Sequence, residues 1–218
     1  MPEIEMLCIA NSRKYGGRCV AGVRRDDRSL IRPVSDTEHG SLNESACQLD
    51  NGHPLQQLDV VRVGLSGHDP RPHQPENWIV TDRPWKLERQ LTLREAANVL
   101  EPLVVEGPDL FGTSTDRVTW DEIQESDLQA SLAIVKAVAP TFCWNQWDPT
   151  QRRAEFDLDG VPYELPITFD FPYPAEGEPI HRSQASWYFT ISLGEPFAKQ
   201  GDDCFKLIAG AIEIPAGS

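Results

Sequence analysis

The sequence lacks the features that would place the protein in a membrane or an export pathway. No stretch approaches the ~20 consecutive apolar residues that a membrane helix requires. The apolar run from Met6 to Ala10 is short, and Glu3 and Glu5 precede it, which is not the pattern of a signal peptide. We therefore expect a cytoplasmic protein without membrane contact.

Cysteine is present, but not in the patterns that disulfides or metal sites need. The five cysteines are widely spaced and odd in number, and they include no C-x-x-C pair. They predict reduced, mostly buried thiols. His39, Cys47 and His53 are close in sequence, as are His68 and His73, but tight Cys/His pairing is missing. The sequence therefore predicts no metal site and no cofactor.

Recognisable catalytic motifs are also missing. The sequence has no G-x-S-x-G elbow, no P-loop and no dinucleotide-binding glycine fingerprint, and His181 has no evident catalytic partner. Acidic pairs such as Asp26-Asp27 and Asp202-Asp203 fall in predicted turns. Cys19 is the candidate nucleophile for a nucleotide-processing enzyme, but its strand position favours a buried side chain. We predict that the protein is not an enzyme.

Positive charge is scarce and unevenly distributed. The formal net charge of -14 argues against a sequence-independent nucleic-acid coat, because such proteins are usually basic. Residues 1–95 hold 13 basic and 14 acidic side chains, whereas residues 96–218 hold 7 and 20. This asymmetry indicates that the two halves do different work, although an acidic half that serves only solubility would give the same pattern.

The basic side chains gather near the amino end. Within the first 35 residues, short apolar strands carry Arg13, Lys14, Arg18, Arg24, Arg25, Arg28 and Arg32 at their turns and ends. Because the rest of the chain is strongly acidic, this segment predicts a small β unit that meets an anion. The sequence leaves the identity of that anion open.

Alternating apolar residues and turn signals predict five strands in the first 90 residues. Gly16-Gly17 can supply positive φ in a tight turn, and the polar residues 36–57 leave room for one short helix. The predicted strands are Met6 to Asn11, Arg18 to Arg25, Leu30 to Val34, Leu58 to Leu65 and one that begins at Trp78 to Val80. Three strands, a helix position and two more strands is the chain order of an OB-type barrel.

The rest of the chain predicts a helical connector and a second barrel. Thr92 with Glu95 and Thr119 with Glu122 have capping-box spacing. The later β segments are one bent strand over 131–144, a hairpin over 153–169, a proline-rich loop over 171–184 and strands over 187–193 and 204–214. We therefore predict a mainly β fold with two small OB-like Greek-key barrels, at 1–90 and 129–218, joined by a short helical connector at 91–128.

Seven pieces of the sequence, spread over nearly the whole chain, form a recognisable set. They are Asn11-Ser12-Arg13-Lys14, Gly16-Gly17-Arg18-Cys19-Val20-Ala21-Gly22, Ile31-Arg32-Pro33-Val34-Ser35, Leu58-Asp59-Val60-Val61, Gln74-Pro75-Glu76-Asn77, Ile191-Ser192-Leu193-Gly194-Glu195-Pro196-Phe197 and Cys204-Phe205-Lys206-Leu207-Ile208-Ala209. With these pieces the chain resembles the dual OB-containing domain family of prokaryotic proteins. The resemblance implies two OB barrels and no established activity, since OB barrels bind many ligands.

The first turn and its neighbours form the main candidate site. Glycines allow backbone N–H groups to approach an anion, and Lys and Arg supply charge and forked donors. The candidate phosphate-binding residues are Ser12, Arg13, Lys14, Gly16, Gly17, Arg18 and Arg32, with Tyr15, Trp78 and Trp85 as candidate platforms for base stacking. The alternative is a plain hairpin turn whose cations are solvated.

A second polar cluster, Gln74, Glu76 and Asn77, precedes the fifth strand. Amide side chains at such a place can hydrogen-bond to the edge of a base. They also commonly hold a loop by bonding to its backbone, and we favour this structural interpretation.

Two functions agree with these observations. The first is a non-enzymatic module that binds single-stranded nucleic acid or a nucleotide through the cationic face of the first barrel. In that case the acidic second barrel is a scaffold or a docking surface for a partner protein. The alternative is a protein-interaction subunit of a larger assembly, in which the cationic turn pairs with a partner's acidic side chains and nucleic acid is not contacted. Under the first hypothesis, affinity for a nucleic-acid strand falls steeply with salt.

Overall fold

The first half of the chain forms a closed five-stranded barrel. The computed structural model describes residues 2–214. The barrel strands are β1 (Glu3–Lys14), β2 (Gly17–Arg24), β3 (Leu30–Val34), β4 (Asp59–His68) and β5 (Asn77–Val80). They pair in the order β1-β2-β3-β5-β4, and β4 pairs with β1 to close the ring. The β3–β5 pair is parallel and the others are antiparallel, which confirms the predicted Greek-key order of an OB barrel.

Strand β1 is apolar on both of its faces. Met6 and Cys8 point into the barrel, whereas Leu7 and Ile9 belong to a different apolar cluster outside it. Successive strand residues point to opposite faces, so an unbroken apolar run marks a strand that is covered on both sides. The first barrel therefore has an outer surface that is buried as well as a core.

The segment 36–57 contains no helix, so the expected short helix is wrong. The chain turns repeatedly here, and Gly40 and Gly52 have φ of +60° and +81°, which a helix cannot accommodate. Asn43 accepts a hydrogen bond from the backbone N–H of Ala46 at 2.7 Å, and Leu42 pairs with Arg18 as an isolated bridge. Strand β6 (Lys86–Gln90) then pairs with the first residues of β4, on the edge opposite β1.

The connector contains the two predicted helices, α1 (Leu93–Leu100) and α2 (Trp120–Ser126). Both capping boxes are confirmed: Thr92 with Glu95, and Thr119 with Glu122, each make the reciprocal pair of hydrogen bonds. Between the helices lies β7 (Arg117–Val118), a strand too short to give a sequence pattern. In the described part of the chain, no helix reaches the length and apolarity that crossing a bilayer requires.

The second half forms a half-barrel from two four-stranded sheets. Besides β7, its strands are β8 (Leu132–Val138), β9 (Thr141–Trp144), β10 (Arg152–Leu158), β11 (Val161–Pro166), β12 (Ile180–Arg182), β13 (Ser186–Phe197) and β14 (Asp203–Glu213). One sheet has the order β11-β10-β9-β12 and the other β7-β14-β13-β8. The predicted bent strand is split into β8 and β9 at Ala139-Pro140, and the predicted proline-rich loop contains the short edge strand β12. A parallel bridge between Ile167 and Ile208 links the two sheets, so the Greek-key order of the first barrel recurs.

A shared apolar layer joins the two halves, and we call it the seam. It consists of Leu7, Ile9, Ala10, Ala21, Val23 and Val60 from the first barrel, Leu91, Ala97 and Leu100 at α1, and Leu132, Ile134, Tyr188, Ala209 and Ile212 from the second half. Each half also has its own apolar interior. The predicted segment bounds 1–90, 91–128 and 129–218 stay a prediction, and Met1 and residues 215–218 lie outside the described residues.

Candidate functional site

The second half covers the face with which OB barrels usually bind ligands. That face is formed by the second and third strands, flanked by the loops after the first and the fourth strand. Here Ala21 and Val23 of β2 lie in the seam, and Arg32 of β3 reaches Ser131 and Ser192 of the second half. The expected open cationic face is therefore an internal surface of the protein.

Arg32 is fully buried within this surface. Its guanidinium donates to the hydroxyl oxygens of Ser131 and Ser192, each at 2.9 Å. A buried guanidinium is tolerated only when it is hydrogen-bonded, so both serines are needed where they lie. The expectation that Arg32 contacts a phosphate is corrected, because packing of the second half leaves no room for one.

The polar cluster at 74–77 also holds the two halves together. The carboxylate of Glu76 accepts hydrogen bonds from the N–H of Ser131 at 2.6 Å, the hydroxyl of Ser131 at 2.6 Å and the N–H of Leu132 at 2.9 Å. Gln74 donates to the carbonyl of Leu193 at 3.2 Å, and Asn77 donates to Gln74 at 3.5 Å. These contacts are the structural use that the sequence analysis favoured.

Lys14 lies in a half-buried charged group at the end of the seam. Its Nζ is 2.6 Å from Oε1 of Glu195, and Nε2 of His73 is 3.2 Å from Oε2 of the same carboxylate. Side-chain exposure is 11% for Lys14 and 13% for Glu195. Burial alone would raise the pKa of Glu195, but the hydrogen bonds and charges of His73 and Lys14 outweigh it and lower the pKa to about 2.

Arg13 and Arg18 point in other directions. Arg13 pairs with Asp170 at 2.7 Å, and both side chains are well exposed, at 70% and 76%. Arg18 is the cross-strand partner of Arg13 in the β1–β2 hairpin, but its guanidinium lies 3.8 Å from a different acid, Glu44. The predicted phosphate ligands therefore do not converge on one open surface, because alternation turns Lys14 away from Arg13 and each of the three cations is paired with a separate acid.

A cleft opens beside Arg13 at the edge of the seam, and we call it the seam cleft. Its volume is about 290 Å³. The first barrel contributes Ser12, Arg13, Lys14, Tyr15, Cys19 and Gln74, and the second half contributes Thr168, Ser192, Leu193, Gly194, Glu195, Pro196, Phe197, Phe205, Leu207 and Ala209. The walls are mainly apolar, and Arg13 is the exposed cation at the mouth among the described lining residues.

On the other side of Tyr15 lies a second depression of about 610 Å³, which we call the turn groove. Tyr15 and Gly16, with φ of +47° and +76°, make the two-residue turn, so Gly16 supplies positive φ as predicted and Tyr15, rather than Gly17, supplies the other. Gly17 is needed for another reason: a Cβ there would collide with the carbonyl oxygen of Leu42. Loops 35–46 and 80–84 form the rest of the groove.

Comparison with known families agrees with this architecture. A family model described as the dual OB-containing domain matches residues 4–211. The chain belongs to the dual OB-containing domain family. OB folds commonly bind nucleic acids or proteins, and membership of the family indicates function only at this general level. A search of curated proteins and a search of solved structures each gave no significant match.

Two of the three candidate stacking residues, Trp85 and Trp78, pack against other side chains of this dual OB protein. Trp85 is buried in the interior of the first barrel, which corrects its interpretation as a stacking platform. Trp78 is partly buried between the ring of His68, at 4.6 Å, and the guanidinium of Arg24, at 5.9 Å. Tyr15 is 63% exposed, and one face of its ring stacks on His39 at 4.2 Å.

The second half exposes an aromatic residue that the sequence analysis missed. Trp147, in the loop between β9 and β10, is 84% exposed. Nearby, the guanidinium of Arg152 lies 4.3 Å from the ring centre of Trp144. The signal in the sequence is the polar, turn-rich run Asn145 to Gln151, which places an apolar ring in a loop rather than on a strand.

The five cysteines of the dual OB structure are free thiols that differ in burial. Cys8, Cys47 and Cys204 are buried as predicted, and burial raises the pKa of Cys47 to about 12. Cys19 and Cys143 are partly exposed. Across residues 2–214, no group of three or more His, Cys, Asp or Glu side chains is placed to hold a metal ion.

Proposed function

We propose that the protein is a non-catalytic binding module that holds a nucleotide, or the end of a single nucleic-acid strand, in the seam cleft. The observation that carries this proposal is the pairing of an apolar cleft with one exposed cation at its mouth. Phe197 and Phe205 line the cleft, and Arg13 stands at its rim. A base needs a flat apolar surface and a phosphate needs a cation, and the cleft offers both.

The exposed ion pair makes Arg13 available to a ligand. Ion pairs between exposed side chains contribute roughly 0–1 kcal/mol, so exchanging Asp170 for a phosphate costs little. A phosphate also offers more charge and more acceptor oxygens than one carboxylate. Lys14 differs, because it is held by Glu195 away from solvent, and we assign it to the seam rather than to the ligand.

The size of the cleft favours a small ligand over a long strand. Its 290 Å³ lies near the lower end of the range of about 300–1,000 Å³ that small-molecule sites occupy. Stacking on an aromatic side chain contributes about 1–3 kcal/mol per base. With Arg13 as the phosphate contact, binding should depend only weakly on salt. A plot of log binding constant against log salt concentration should have a slope of about -0.7, rather than the steep slope that the sequence suggested.

Fluorescence titration tests the proposal with a mant-labelled adenosine diphosphate and a fluorescein-labelled deoxythymidine decamer as probes. Arg13→Glu should weaken binding by about tenfold or more, which is the loss expected for one charged hydrogen-bonded contact. Asp170→Asn should strengthen it about two- to fivefold, since the competing carboxylate is removed.

The matched control is Arg83→Glu, which makes the same charge change at the turn groove. Arg83 is 64% exposed and pairs with a partly exposed carboxylate, Glu3, so it resembles Arg13 in all but position. It should leave affinity unchanged. Absence of binding to either probe at millimolar concentration, or equal losses in Arg13→Glu and Arg83→Glu, would contradict the seam cleft as a nucleotide site.

A second candidate function, protein interaction, is favoured by the exposure of Trp147. Tryptophan and arginine are enriched among the residues that dominate protein interfaces. The acidic side chains Glu155, Asp157 and Glu164 are exposed on the β10–β11 hairpin of the same half, which favours a basic partner. A partner that co-purifies with the native chain, and is lost with Trp147→Ser, would support this function. Retention of that partner by Trp147→Ser would contradict it.

A further inference from the structure

The turn groove differs in chemistry from the seam cleft. It is more polar than the cleft, about twice as large, and lies entirely on the first barrel. Short polar side chains line it, including Asp36, Thr37, Ser41, Asn43 and Asp82. One aromatic ring, that of Tyr15, stands at its edge with 63% of the side chain exposed. A polar hollow beside an open aromatic face suits a ligand with both hydroxyl groups and an apolar face.

The polar groups of the groove are largely free to meet a ligand. Within residues 2–214, the carboxylates of Asp36 and Asp82 have no hydrogen-bond or ion-pair partner. The amide oxygen of Asn43 accepts from the N–H of Ala46 and the hydroxyl of Ser45, each at 2.7 Å. This arrangement fixes the amide so that its NH₂ group remains as a donor.

The charge of the groove disfavours a phosphate. Asp36 and Asp82 contribute two negative charges, while the cation at the rim, Arg83, lies 3.4 Å from Glu3. A polyanion would meet like charge here, whereas hydroxyl groups would find acceptors in the same carboxylates. The ligand that this surface fits is therefore neutral and rich in hydroxyl groups.

The ring of Tyr15 is supported on one side by a second ring. His39 stacks on one face of the Tyr15 ring at 4.2 Å with an angle of 23° between the planes. That contact holds the ring at the rim and leaves its other face open. We propose that the turn groove binds a carbohydrate: a sugar ring stacks on the open face of Tyr15, and its hydroxyl groups donate to Asp36 and Asp82. This site shares Tyr15 with the lining of the seam cleft but uses other polar residues, and it does not rest on the nucleotide proposed for that cleft.

The experiment is a two-dimensional ¹H–¹⁵N NMR titration of the whole protein with maltohexaose, cellohexaose and chitohexaose, each to several millimolar. At least one hexasaccharide should shift the signals of Gly16, Asp82 and the Asn43 side-chain amide. A deoxythymidine hexamer, run alongside, should leave the signals of Asp82 and the Asn43 side-chain amide in place, because neither residue lines the seam cleft. Shifts from none of the three sugars, or larger shifts at the groove from the hexanucleotide, would overturn the proposal.

Two variants assign the binding to the groove. Tyr15→Asn removes the ring but keeps a residue that tolerates positive φ, so the hairpin should fold, and it should weaken sugar binding at least tenfold. Asp82→Asn changes a residue of the groove that does not line the seam cleft, and should weaken binding several-fold. Phe197→Ala, which removes an exposed ring from the seam cleft, is the control and should leave sugar binding unchanged. Unaltered sugar affinity in Tyr15→Asn would overturn the assignment.

Discussion

The two halves of the molecule share one strand order but use the corresponding face in opposite ways. In the first barrel, the outer face of β2 and β3 is apolar around Arg32 and is covered by the second half. In the second half, the corresponding hairpin β10–β11 exposes Glu155 and Glu164, which lie directly opposite each other. One face therefore serves assembly of the molecule and the other meets solvent. A common topology does not determine where a ligand binds.

Arg13 and Lys14 show a similar contrast on the scale of single residues. They are adjacent in sequence, and both pair with acids of the second half. Because successive strand residues point to opposite faces, Arg13 reaches solvent and Lys14 enters the seam. The first pair is open to solvent, whereas the second is largely buried between the two halves.

The largest effect on stability is expected when the covered face of the first barrel loses the Glu76 carboxylate, which binds the second half. Glu76→Ala would leave two N–H groups and the Ser131 hydroxyl without their acceptor, and should lower the free energy of unfolding by about 3–5 kcal/mol. Urea unfolding measures this. Glu155→Ala, the control on the exposed hairpin, should cost less than about 0.5 kcal/mol. Similar losses in both variants would remove the distinction between the two faces.

Acid should weaken the seam through Glu195. Its pKa in the folded protein is about 2, below the ordinary value of 4.5, so it contributes stability that is fully present above pH 4.5 and is lost as pH falls toward 2. The shift corresponds to about 3 kcal/mol. Urea unfolding at pH 6 and pH 3 should show a larger loss in the native protein than in Glu195→Gln. Equal losses would mean that the carboxylate is not held by Lys14 and His73.

Substitutions of the two adjacent cations, Lys14 and Arg13, should affect the stability of the fold and the binding of a nucleotide to different extents. Lys14→Ala breaks a largely buried pair and should lower the free energy of unfolding by about 2 kcal/mol. Arg13→Ala breaks an exposed pair and should lower it by less than about 1 kcal/mol, while it weakens nucleotide binding. Parallel unfolding and binding measurements check both. Equal destabilisation by the two variants would erase the contrast.

The smallest expected effect is a gain. Tyr15 has φ of +47°, in a region that Asn occupies more readily than an aromatic residue, so Tyr15→Asn should raise the free energy of unfolding by about 0.5 kcal/mol. Thermal unfolding would detect this gain as a small rise in Tm. A loss of more than about 1 kcal/mol would show that the stack on His39 stabilises the fold more than the turn disfavours it.

The fold could be predicted from the sequence because its signals are local. The capping boxes at Thr92 and Thr119 lie within four residues, and the hairpin at Asp159-Gly160 is a turn between two alternating runs. The unbroken apolar run at the start of β1 is also typical of a strand that is covered on both sides. The predictions from the sequence include a strand at this run but not the buried outer face, which the structure shows.

The site could not be predicted in the same way, because it depends on residues far apart in the chain. Arg32 meets Ser131 and Ser192, which follow it by 99 and 160 positions. Nothing near Arg32 in the sequence distinguishes a buried guanidinium from a solvated one. The pairing of Lys14 with Glu195 spans 181 positions, and it too is decided by the packing of the second half.

The two-sided strand β1 ties the folding of the halves to each other. Met6 and Cys8 support the interior of the barrel, and Leu7 and Ile9 support the seam, so loosening this one strand opens two apolar layers at once. Unfolding or removal of either half would therefore expose the apolar seam surface of the other half. We therefore expect the two halves to unfold as a single cooperative unit.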